Sequence, residues 1–130
     1  MIYQYQQVTD QYTTHRINAP EGSTELATVE GVTYVHVPDG VDLPAEQPAE
    51  IAASIQPVTV DAVLREKIST ASPHVQLIRS RVAAKIAEQY SIGDEIKLLR
   101  TAPSAEFELY NAYVEDCRAR GRAQRAALGL

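Results

Sequence analysis

The chain has 130 residues, 45% of them hydrophobic and 22% charged, with a formal net charge of −5. That length allows one ordinary domain or two small lobes, the composition excludes wholesale disorder, and a single cysteine, Cys117, excludes an internal disulfide or a multi-cysteine zinc site. Charge is uneven: residues 1–60 hold eight acids against one base, Arg16, a net of −7, whereas residues 61–130 hold nine acids against eleven Lys/Arg, a net of +2.

The opening MIYQYQQVTD is polar and uncharged through nine residues, so it lacks the cationic and apolar regions of a signal peptide. No run approaches the ~20 apolar residues of a membrane span. A cytosolic site of synthesis is expected. From Ile2 to Val8, Tyr3 and Tyr5 alternate with Gln4 and Gln6, the period of a half-buried strand. Tyr12–Ile17 is expected as a second strand, followed by a turn at Ala19-Pro20-Glu21-Gly22. Leu26–Val29 and Val32–Val37 flank Glu30-Gly31, which predicts a tight hairpin with Gly31 at positive φ, and Pro38-Asp39-Gly40 closes it. The run VDLPAEQPAEIAASIQP, with prolines at 44, 48 and 57, is expected as a linker or extended arm with at most one helical turn over Glu50–Ile55.

The second half is helical by its periodicity. Asp61 is the expected N-cap of a helix to about Ala71, with Val60, Val63, Leu64 and Ile68 on one face. Ser72-Pro73 starts a helix to Tyr90 whose stripe is Val75, Ile78, Val82, Ile86 and Tyr90. A short helix follows over Ile92–Arg100, with Ile96 and Leu99 inward and Asp94 and Glu95 in its acidic first turn. Pro103-Ser104 opens the longest helix, to about Ala127, with Phe107, Tyr110, Val114 and Cys117 facing the core. The fold class that results is α+β: an acidic β-type head over 1–40, a Pro-rich linker arm over 41–58, and an antiparallel cluster of three to four helices over 59–130. A head of that size does not hold itself together easily, so partner contacts are expected to support it.

No catalytic arrangement is expected. Asp94/Glu95 and Glu115/Asp116 are helical neighbours that point apart, and Glu106 and Glu108 lie about 200° apart on a helix. His15, His36 and His74 are scattered without metal-ligand spacing, and Gly22, Gly31 and Gly40 mark turns instead of a phosphate cradle. No cofactor or metal is expected. Arg118, Arg122 and Arg125 share one face of the last helix, within CRARGRAQR. Two readings stand for them: a cationic last turn that complements the helix dipole, or a docking stripe for an acidic surface such as the head of a neighbouring copy. Four arginines without interleaved aromatics, on a chain of net charge −5, do not suit a nucleic-acid site. Gly121 within this run weakens the helix by ~1 kcal/mol and is read as a bend or a frayed end.

The run YSIGDEIKLLRTAPSAEFELYNAYVEDCRARGRAQRAALGL, Tyr90–Leu130, resembles the ends of small proteins encoded among the tail genes of tailed bacteriophages. Those share a Y-S-x-x-D-E helix start, a P-S-x-E…Y-x-x-Y-V-E-x-C-R-x-x-G helix and a terminal A-L-G-L. GVTYVHVPDGVDLP, Gly31–Pro44, looks like the variable head joined to such tails. The similarity covers residues 60–130 well and the head weakly. Near Arg120, where the pattern has an aromatic, this chain has Arg-Ala-Arg-Gly, which implies a lost packing contact.

The resemblance implies a non-enzymatic structural or adaptor protein of a phage tail, made in the host cytoplasm and carried in the virion. It would bind tail or tail-fibre proteins, or further copies of itself as a homo-oligomer (trimer or hexamer), with no nucleic-acid or membrane partner. A tail-fibre assembly chaperone that leaves before maturation is an alternative, and a small inhibitor of a host protein is a second. Tyr3, Tyr5 and Tyr34 in the head and Arg118, Arg122 and Arg125 in the last helix are the expected partner-facing residues, tyrosine because it buries much area for little lost entropy. The arm is expected to offer an edge strand to a neighbour's sheet.

Overall fold

Glu30 and Gly31 both adopt left-handed backbone, φ 52° and 80°, which makes their turn a type I′ hairpin turn between β2 (Thr24–Val29) and β3 (Val32–His36). The computed structural model describes all 130 residues. β1 (Ile2–Gln6) pairs antiparallel with β3, Ile2 opposite His36 and Gln4 opposite Tyr34. A three-residue β4 (Gln56–Val58) pairs antiparallel with the other side of β1 and completes the order β2-β3-β1-β4. Both edges of the sheet are blunted. A bulge between Glu25 and Ala27 interrupts the β2 edge, and Pro57, which has no N–H to donate, lies on the β4 edge.

The sheet carries an apolar layer on each face. On one face Ile2, Leu26, Ala27 and Tyr34 pack with Ile68 of α2 (Ala62–Ala71), together with Leu64, Leu128 and Leu130. The bulge turns both Leu26 and Ala27 toward this layer, where strict alternation would send one of them to the opposite face. On the other face Tyr5, Val35 and Val37 pack with Ile51 of the one-turn helix α1 (Ala49–Ala52), and Tyr3, Ile17, Leu43 and Ile55 surround them. Burial on both faces leaves consecutive residues of β3, Thr33, Tyr34 and Val35, all interior.

The segment expected as a linker arm is therefore part of this unit. Ile51 is 1% exposed, and Val58 stands opposite Ile2 in the sheet. The Gln47 side chain accepts from the Asn18 N–H at 2.8 Å and donates to the Asn18 and Pro44 carbonyls at 2.9 Å, fixing the path of the segment. The arm's strand completes the chain's own sheet. Tyr12–Ile17 forms no strand either. Asp10 Oδ1 accepts from the N–H groups of both Tyr12 and Thr13 at 3.0 Å, which curls the backbone into a tight loop closed by a single Thr9–Thr14 bridge.

The chain divides into two compact units, one of Met1–Val75 with Leu128–Leu130 and one of Gln76–Ala127. The division expected at residue 58/59 is thus displaced, because α2 packs on the sheet. The second unit holds most of α3 (Pro73–Gln89), with α4 (Ile92–Arg100) and α5 (Ala105–Ala127). The starts of α4 and α5 fall where the sequence places them, and α4 has a side-chain cap in addition to the expected acidic first turn. Ser91 Oγ accepts from Asp94 N at 3.1 Å and Asp94 Oδ2 accepts from Ser91 N at 3.0 Å, a reciprocal cap on α4. Ser104 Oγ accepts from Phe107 N at 3.1 Å at the start of α5, one residue after Pro103.

Candidate partner interface

Within the second unit, α3 and α5 pack through stripes at helical spacing. Ile78 is buried and Val82, Ile86 and Tyr90 are half-buried on α3; Phe107, Tyr110 and Tyr113 are half-buried and Val114, Cys117 and Gly121 buried on α5. Tyr90 meets Tyr110 edge-on with ring centroids 4.9 Å apart and Tyr113 at 5.7 Å. The phenol of Tyr113 donates to the Lys85 carbonyl at 2.8 Å, and that of Tyr110 to Glu95 Oε1 of α4 at 2.8 Å. The Tyr110 phenol titrates above its ordinary value of 10.0, first because Glu95 holds its proton and then because of burial.

Gly121 belongs to the packed stripe and is no bend or frayed end. A Cβ at residue 121 would lie 2.7 Å from Val82 Cγ2, so α5 approaches α3 through a position that has no side chain. Beside this contact runs an open groove of about 390 Å³. Its floor is Ile78, Val82, Ala83 and Ile86 of α3, and its rim carries Arg79, Arg118, Arg122 and Arg125.

The structure thus brings the three singled-out arginines together on one groove and adds Arg79 from the facing helix. Their charges are not equally available. Arg122 Nη2 donates to Glu115 Oε1 at 2.6 Å, and Arg125 is half-buried. Arg120, on another face of α5, pairs with Asp116 at 3.0 Å. Arg79 and Arg118 are exposed and take part in none of the ion pairs of this unit.

Two of the three tyrosines expected to face a partner are interior. Tyr5 is 2% exposed and Tyr34 7%, on opposite faces of the sheet, each in an apolar layer. Burial pushes both phenols above their ordinary value. Tyr3 is half-buried beside Tyr5. Alternation in IYQYQ marks two faces, and in a sheet covered on both sides neither face is free.

Two surface features lie where the sequence pattern points inward. On α4, Ile92, Ile96 and Leu99 are 76%, 47% and 61% exposed, while Glu95 and Leu98 are the half-buried residues. The hydrogen bond from Tyr110 to Glu95 is made by the face of α4 that turns toward α5, and the apolar stripe lies about a quarter-turn away. In the first unit Val63, expected to face the core, is 66% exposed and lines a shallow apolar depression with Val29, Ala62 and Ala71.

No protein-family model and no solved structure matches the chain.

Proposed function

We propose that this chain is a non-enzymatic adaptor of a bacteriophage tail, joining tail or tail-fibre proteins through the surface of its helical unit. The observation that carries the proposal is the apolar stripe Ile92–Ile96–Leu99 on the solvent side of α4, inside the run that resembles phage tail proteins. Three large aliphatic side chains one and two turns apart on an exposed helix face suit a helix or sheet from another chain. The basic groove between α3 and α5 offers a second contact surface on the same unit.

Quantitative mass spectrometry of purified mature particles, calibrated against the capsid protein, tests this reading. A fixed small copy number matching threefold or sixfold tail symmetry supports it. Absence from particles, with the protein recovered from lysate on fibre subunits, replaces it with the assembly-chaperone reading. Absence from both replaces it with an inhibitor of a host protein.

A further inference from the structure

The two units carry opposite charge. Met1–Val75 with Leu128–Leu130 holds ten acids and three Lys/Arg, a net of −7; Gln76–Ala127 holds seven acids and nine Lys/Arg, a net of +2. The negative charge has a dense stretch. Residues 39–50 carry Asp39, Asp42, Glu46 and Glu50 with no base between them. Asp39 is bound to the Met1 amine at 3.0 Å and Glu50 lies 3.6 Å from His15, whereas Asp42 and Glu46 are exposed and enter no ion pair. The Gln47–Asn18 clasp holds the backbone here, and Asn18 Nδ2 also donates to the Glu46 carbonyl at 3.0 Å. Val41, 43% exposed, stands beside these carboxylates.

We infer that a second copy of this chain is the occupant of the α3–α5 groove, with its Asp42–Glu46 segment seated between Arg79 and Arg118. The complementarity is specific in kind. The groove has an apolar floor and two arginines without ion-pair partners, and the segment offers two carboxylates without partners and an exposed valine. Because the segment is already held in one conformation, ordering it on binding has little entropic cost. The contact joins two different surfaces, so it is head-to-tail and propagates into a ring or an open chain. It does not depend on the tail-adaptor reading, since purified protein suffices to form it.

Light scattering coupled to size-exclusion chromatography on the full chain tests the inference. A mass above the 14.3 kDa protomer is expected at high protein concentration and low salt, falling toward the protomer as salt rises. Arg79→Glu with Arg118→Glu, and separately Asp42→Lys with Glu46→Lys, should each raise the dissociation constant at least about tenfold. Mixing the two reversed variants should restore association, because an acidic groove then meets a basic segment. Arg118→Ala and Asp42→Ala give the same readout if a reversal unfolds the chain. A protomer mass at every concentration, or association indifferent to both reversals, overturns the inference.

Discussion

Gly121 of α5 faces Val82 of α3 so closely that a Cβ added at residue 121 would lie 2.7 Å from the valine Cγ2 and 3.7 Å from Ile78 Cγ2. Two effects oppose each other on Gly121→Ala. Helix propensity favours alanine by about 1 kcal/mol, and overpacking costs about 1–3 kcal/mol. A distance below any ordinary Cβ contact, against a branched side chain with few rotamers, puts the clash ahead. Gly121→Ala should therefore lower stability in urea unfolding, and Val82→Ala in the same chain should recover much of the loss through coupling between the two sites. Wild-type stability for Gly121→Ala alone would show that the helices separate freely.

The phenol of Tyr110 ties α4 to α5 through Glu95, 2.8 Å away. Tyr110→Phe keeps the ring contact with Tyr90 and removes only this bond. It should cost about 0.5–1.5 kcal/mol and speed amide exchange in α4 more than in α5. Uniform exchange across both helices would contradict that local role. In an ultraviolet titration of the wild type, Tyr110 should ionise above the ordinary value of 10.0, and Glu95→Gln should bring it down.

Glu30 stands at φ 52°, a conformation that a side chain with a Cβ adopts at a cost. Asparagine tolerates it better, and Asn-Gly is the preferred pair for a type I′ turn. Glu30→Asn should stabilise the hairpin by about 0.5–1 kcal/mol, measured as a rise in the unfolding midpoint. A fall would mean that Glu30 makes a favourable contact outweighing its backbone strain.

His36, opposite Ile2 in the sheet, titrates below its ordinary 6.5, first because burial disfavours the imidazolium and then because the N-terminal amine repels it. A lowered folded value means that the unfolded chain binds this proton more readily. The contribution is present in full above pH 6.5 and is lost as pH falls through 6.5 toward the folded value. Melting curves between about pH 7.5 and 5.5 should show stability falling, and His36→Gln should flatten that slope. An unchanged slope in the variant would assign the pH dependence to another group.

Much of the local structure was legible because it rests on interactions within a few residues. Asp61, with its carboxylate 2.8 Å from Leu64 N, caps α2 where a capping residue precedes an apolar period. The Ile92–Arg100 helix has the expected bounds because Ser91 and Asp94 cap it reciprocally. The Glu30-Gly31 turn followed from glycine's tolerance of positive φ. The stripes of α3 and α5 followed from a 3.6-residue period, and Arg118, Arg122 and Arg125 on one groove followed from the same arithmetic.

By itself, then, the sequence determined the α+β class, the tight Glu30-Gly31 hairpin, the helix starts and the shared face of the arginines, since each depends on capping, φ preference or periodicity within one element. Tertiary structure alone decided the rest, because it depends on which surface covers which. β4 is three residues long and exists only because Ile2–Gln4 lie beside it. Tyr5 and Tyr34 are interior because α1 covers one face of the sheet and α2 the other. Ile96 and Leu99 are exposed because α4 turns Glu95 toward Tyr110, and Gly121 is a contact point because Val82 fills the space beside it. A pattern of apolar residues states that a face exists, and only the neighbouring element settles whether that face is buried.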